Sequence, residues 1–326
     1  MQPSADESKF RSLRLKLSSE ATEIPARCFE NYDWISEVEI PMGIRRIGES
    51  AFKDCAKLSK VVFPPTIAEI GHQAFYGCFV LSEADLPPGI TEIPDELFAG
   101  CANLRKITIP GSVEKIGDGA FSFCRELESA IIPQSVSQVG VRLFEGCMKL
   151  RNVAIPANLT RISPFMFAEC RNLSITSLPS TVTTIDECAF LGCSKIGRLT
   201  IPESVVEIGR EAFKGCTELV RINIPSGVRE IKEKTFAFCR KLQQVNISPG
   251  ITAIGEFAFK ECVDLEHIVL PDSVSEIKRG AFLGCDRLKT VSVMNGVKID
   301  PSALECCPSA TLLRRPPDST ELNSQR

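Results

Sequence analysis

The stretch Ile109-Pro110-Gly111-Ser112-Val113-Glu114-Lys115-Ile116-Gly117-Asp118-Gly119-Ala120-Phe121-Ser122-Phe123-Cys124-Arg125-Glu126-Leu127 decides the fold, because most of the chain is a copy of it. Its pattern, I-P-x-x-V-x-x-I-G-x-x-A-F-x-x-C-x-x-L-x-x-V-x, returns every 23 residues. Proline keeps one register from Pro41 and Pro64 to Pro225 and Pro271, with Ser248 and Met294 in the two later slots that lack it. Phenylalanine keeps another from Phe29 and Phe52 to Phe259 and Phe282. A strict short period is the signature of a solenoid, in which each coil buries its apolar face only against its neighbours.

Each coil reads as two short extended pieces and two turns. In Leu150-x-x-Val153-x-Ile155 the apolar residues alternate with polar ones, the period of a half-buried strand. The proline that follows has no N–H and stops the pairing. A second piece, as in Val205-Val206-Glu207-Ile208, ends at a glycine slot: Gly48, Gly71, Gly117, Gly140, Gly209 and Gly255. Glycine there suits positive φ or a close approach; Pro94, Ser163, Asp186, Lys232 and Lys278 in the same slot argue against an obligatory positive φ. The leucine, the strand pair, the residue three after proline, the isoleucine and the Ala-Phe-Cys set make about eight interior side chains per coil.

Eleven of the fifteen cysteines, Cys55 through Cys285, share one repeat position. Cysteine is among the most buried residue types, so a column of them reads as core thiols rather than as a disulfide framework. The N-terminal residues show no apolar run of a secretory signal, and no run of about 18 apolar residues occurs. These features predict a cytoplasmic protein, with export to the cell surface by another route as the alternative.

The formal net charge is −3, from 38 basic and 41 acidic residues mixed along the chain. Such mixing argues against a nucleic-acid or anionic-membrane surface, and the lack of a long apolar run predicts no membrane insertion. There are two histidines, neither in a slot beside a reactive thiol, and no C-x-x-C or G-x-x-x-x-G-K motif. The expectation is a non-enzymatic chain with no cofactor and no metal.

The repeat L-x-x-V-x-I-P-x-x-V-x-x-I-G-x-x-A-F-x-x-C resembles the BspA-like class of leucine-rich repeat over roughly residues 13–312. The resemblance implies a curved, right-handed solenoid with little α-helix and a parallel sheet on its concave face, built from the strand before each proline. It brings no catalytic residues, and it implies a cell-surface or secreted adhesin-like recognition protein as the alternative to an interaction scaffold. Expected boundaries are a disordered lead-in at 1–12, a solenoid of about 13 coils with atypical caps at 13–313, and a disordered tail at 314–326.

The residues flanking the buried valine of each first strand point away from the core. They form two outward columns, whose candidate binding residues are Glu37, Glu39, Lys60, Glu83, Asp85, Lys106, Ile131, Asn152, Arg198, Arg221, Asn223, Gln244, Asn246 and His267. The face is acid-rich at its amino-terminal end, small and apolar in the middle, and rich in Arg and amides later. It predicts a protein or peptide partner, Arg being a favoured anchor; a merely solvated sheet is the alternative.

Two irregular places stand out. In the copy Cys170–Pro179, Thr176 falls on an apolar slot and Ile175 on an outward one, so a bulge that turns Ile175 inward is expected, with an exposed isoleucine used for contact as the alternative. After Val293 the pattern decays, with Glu305 in the phenylalanine slot and Cys306-Cys307-Pro308 in place of the regular cysteine.

Overall fold

The computed structural model describes residues 13–18 and 20–316. These form a parallel β-solenoid of about 13 turns, with no helix among the described residues. The expected lead-in at 1–12 and the tail from 317 onward lie outside the described residues.

Three inter-coil ladders hold the turns together. Long strands such as Ile35–Glu39, Lys60–Val62, Glu83–Asp85 and Lys106–Thr108 pair in parallel, each residue meeting its counterpart one repeat on, as in Glu37↔Lys60 and Glu83↔Lys106. Two-residue strands such as Glu92–Ile93 and Lys115–Ile116 pair in the same way on a second side. The Ala-Phe-Cys side is a third ladder made of turns. There the N–H groups of Ser50, Phe52 and Asp54 donate to the carbonyls of His72, Ala74 and Tyr76 at 2.8, 2.8 and 2.7 Å, while Ala51, Lys53 and Cys55 donate back within the turn. Backbone groups are thereby satisfied on every side without a helix.

This alternation needs left-handed backbone at two columns: the residue before the alanine, as at Gln73 (φ 55°), and the residue before the cysteine, as at Gly77 (φ 67°) and Gly146 (φ 73°). The glycine slot after the isoleucine is not left-handed. A Cβ on Gly209 would lie 2.4 Å from the backbone N of Glu187 in the preceding coil, so close approach is what that slot requires. Asp186, where that slot holds a side chain, is buried and takes a two-pronged contact from Arg161, its Nη2 at 2.6 Å; the carboxylate in turn holds the guanidinium's proton more firmly than usual.

The core is a set of continuous columns. Phe52 through Phe282 are fully buried and stacked ring on ring, with centroids 5.3 to 6.1 Å apart. Each ring removed from water contributes about 1.5–3 kcal/mol. The cysteines form a parallel column: Cys78 Sγ donates to the Phe52 carbonyl at 3.2 Å, Cys147 to Phe121 at 3.1 Å and Cys239 to Phe213 at 3.1 Å. All fifteen cysteines are free thiols. Burial pushes the ladder thiols up, Cys55 to about 12. A third column went unread in the sequence: hydroxyls two residues after the proline, as in Ser112, Ser135 and Ser204, donate to carbonyls of the preceding coil at 2.7, 2.6 and 2.6 Å.

The ends and the weak copy differ in detail from the repeat. In the first coils Tyr32 fills the cysteine slot and packs edge-on to Phe29 at 5.9 Å. At the other end Cys307, not Cys306, continues the thiol column, its Sγ 2.9 Å from the Phe282 carbonyl, while Cys306 is exposed. The solenoid also runs past the expected boundary at 313: Thr311–Arg315 is a strand paired with Thr290–Met294, and Arg315 reaches back to the Leu270 carbonyl (2.5 Å) and Asp272 (3.1 Å). Arg314 and Arg315 therefore belong to the cap and not to the tail. At 173–178 Ile175 packs against the core and Thr176 is exposed, as a bulge requires. The long strand is lost there, and only the bridges Ser177↔Thr200 and Arg198↔Arg221 carry the sheet onward.

Candidate functional site

The strand before each proline presents its odd residues outward, because its central valine or isoleucine is fixed in the core; in Lys106–Thr108 only Ile107 is buried. All fourteen predicted residues sit on this long-strand face, the one that the repeat resemblance makes concave. Thirteen are exposed and Glu37 is half-buried. They do not form one cluster: the strand interruption around 173–178 divides them into two halves with different chemistry.

In the amino-terminal half, signs alternate across the register Glu37↔Lys60↔Glu83↔Lys106, so each charge has opposite neighbours one strand spacing away. Glu39 and Asp85 add acid in the second column. Between the halves, Ile131 is 70% exposed beside Ala154.

The carboxy-terminal half has no acidic residue in either outward column. Arg198 bridges Arg221 in parallel register, placing like charges opposite one another, and no ion pair to either is found among the described residues. Downstream the amides form a directed chain: Gln244 Nε2 donates to Asn246 Oδ1 at 3.3 Å, and Asn246 Nδ2 to Asn223 Oδ1 at 2.8 Å. His267 Nδ1 lies 2.7 Å from Thr290 Oγ1. Above these strands runs an open groove of about 650 Å³, lined by Arg221, Gln244, Asn246, His267, Val269 and the cap residue Arg315 among others. Arg315 is the lining residue that sequence reasoning assigned to the tail, since nothing in a decayed repeat signals a side chain reaching back two coils.

On the other sides many charged side chains join coils. Lys115–Glu92, Lys149–Glu126 and Lys241–Glu218 pair equivalent positions of successive turns at 2.7, 2.6 and 2.8 Å. His72 faces Asp95 at 3.4 Å on the turn side. Among the described residues no group of three or more His, Cys, Asp or Glu is placed to hold a metal. No helix there is long and apolar enough to cross a membrane.

Comparison with known proteins agrees with the repeat. The model of the BspA-type leucine-rich repeat region matches residues 22–151, 91–220 and 206–325. A leucine-rich repeat protein from Bacteroides ovatus shares 23% identity over 90% of this chain and 87% of its own, with a TM-score of 0.55. A leucine-rich cell surface protein from Faecalibacterium prausnitzii shares 24% over 92% and 84%, at 0.53. The pneumococcal vaccine antigen PcpA shares 20% over 91% and 74%, at 0.58. Among curated proteins none matches the chain. With its 23-residue period, its proline, phenylalanine and cysteine columns and the matched segments spanning 22–325, the chain belongs to the BspA-type leucine-rich repeat family.

Proposed function

We propose that the chain is a non-enzymatic scaffold that binds a protein or peptide through its long-strand face. The observation that carries this reading is a division of labour among the letters of the repeat. Core, turn and thiol columns repeat almost unchanged, whereas the outward strand columns change chemistry from coil to coil and expose Ile131 (70%), Val269 (60%) and Val62 (43%) among polar groups. Apolar centres within a polar surround are the anatomy of a recognition surface.

Peptides selected from a random library on the full chain test the reading. Ala154→Trp with Val269→Trp fills the face at two exposed positions, and binding of the selected peptides is expected to fall. Unchanged binding moves the site to another side of the solenoid. Fifteen free thiols favour a reducing compartment, and we place the protein inside the cell on that ground. The name of one fold neighbour describes that protein as a cell surface protein; localisation with a tag at either end separates that alternative.

A further inference from the structure

We infer that the quartet Arg198, Thr200, Arg221 and Asn223 is a carboxylate-binding subsite, and that the face takes an acidic peptide across its carboxy-terminal coils. The inference rests on the long-strand reading above and adds the chemistry of the partner.

Three observations converge on the quartet. The first is charge. On this face neighbouring coils pair opposite signs across Glu37↔Lys60↔Glu83↔Lys106, yet Arg198 sits in register with Arg221. Two arginines whose backbones lie one strand spacing apart, about 4.8 Å, present like charges side by side, an unfavourable pairing. An anion between them turns that cost into two charge-assisted contacts, and the fork of a guanidinium matches a carboxylate with two parallel bonds.

The second is hydrogen-bond direction. In the chain Gln244 to Asn246 to Asn223, the Oδ1 atoms of Asn246 and Asn223 each accept from the preceding amide's N–H. What remains open at the Arg221 strand is the Asn223 Nδ2 group, a donor. The bridge Arg198↔Arg221 brings Thr200 opposite Asn223, so a hydroxyl completes a set of donors with no acidic side chain in the outward columns of these coils.

The third is the groove that continues from Arg221 past Asn246 to His267 and Val269, giving an extended chain a path from the subsite toward the cap. Glu266, the acidic residue in its lining, is already held by Lys289 at 2.6 Å and Arg287 at 2.8 Å. A nucleic-acid strand fits less well. Its phosphates call for a stripe of cations, whereas Gln244 and His267 follow the two arginines and the whole chain carries −3.

The test measures fluorescence anisotropy of a labelled decapeptide of alternating Glu and Ala on the full chain, beside its Lys–Ala counterpart and a thymidine decanucleotide. The Glu peptide is expected to bind and to lose affinity about tenfold or more in Arg198→Gln with Arg221→Gln. Lys60→Gln with Lys106→Gln removes the same charge from the other half and is expected to change affinity by less than about twofold. Equal losses in both double variants, no binding of the Glu peptide, or tighter binding of the oligonucleotide overturns the proposal. If library-selected peptides lose binding to the Trp-filled face but keep it on the Arg-to-Gln variant, the acidic subsite falls and the face reading stands. Binding that survives the Trp-filled face removes both. A ligand-free readout is independent of these: Arg198→Gln relieves repulsion and leaves the denaturation midpoint unchanged or higher, whereas a lower midpoint assigns the arginines a structural role.

Discussion

At the scale of single residues, the repeat assigns each fixed letter a physical duty that can be measured. Phe213 is fully buried between Phe190 and Phe236 at centroid distances of 5.3 and 5.5 Å. Phe213→Ala is expected to cost roughly 3–5 kcal/mol in equilibrium denaturation, through lost transfer energy and an unfilled cavity. Less than about 1 kcal/mol would show that the column is not interior. Glycines divide into those with and without a close neighbour. Gly209→Ala places a Cβ 2.4 Å from the Glu187 backbone N and is expected to cost about 1–3 kcal/mol. Gly111→Ala, with nothing within 4 Å, is expected to be neutral or slightly stabilising. Equal effects at the two positions would contradict the account of that slot. The same comparison shows what the sequence leaves illegible. Period and burial were readable from the spacing of Phe, Cys and Pro; which glycines need positive φ was not, since Gly77 and Gly209 look alike until the hydrogen bonds of the turn are seen.

At the scale of the elements, side chains joining successive coils set the acid limb of stability. Lys241, Lys289 and Lys298 hold Glu218, Glu266 and Glu276 below the usual carboxylate range by direct hydrogen bonds. A depressed folded value contributes stability that is present above the unfolded carboxylate value, about 4.3, and is lost as pH falls through the folded value. Denaturation midpoints should thus be flat near neutrality and decline below about pH 4.5, more gently in Lys289→Met with Lys241→Met. An unchanged acid limb in that variant would show these pairs to be energetically silent. The irregular element at 173–178 was legible as an anomaly, because Thr176 broke the apolar alternation. Its consequence, a sheet reduced to two bridges and split into two chemical halves, depends on pairing across coils that no single repeat displays. The cap was the harder case: Arg315 anchors to Leu270, 45 residues back, and a repeat that has lost its letters gives no register from which to foresee it.

At the scale of the whole molecule, a column of buried thiols makes stability steeply sensitive to base. From Cys55 through Cys262 burial raises the thiol values, so the unfolded chain releases protons above about 8.5 that the folded chain retains. Stability is then fully present below about pH 8.5 and falls as pH rises, by roughly 1.4 kcal/mol per unit for each buried thiol. Under reducing conditions the β-sheet circular dichroism is expected to be lost cooperatively between about pH 9 and 11. Cys124→Ala with Cys147→Ala is expected to make that limb shallower even as it lowers stability at pH 7; an identical limb would mean the thiols do not report folding. Denatured, unreduced protein should titrate close to fifteen thiols, in line with a column of free cysteines.

The outward columns of the long strands change chemistry from coil to coil, and contact with a partner is expected on that face. Hydroxyl-radical footprinting of the full chain, alone and with a bound library-selected peptide, tests it most directly. Protection is expected at the exposed long-strand residues Ile131, Arg198, Arg221, Asn246 and His267, with Phe79, Phe123 and Tyr76 on the turn side unchanged. Protection confined to the turn-side aromatics, with the long-strand residues labelled as in the free chain, would contradict it.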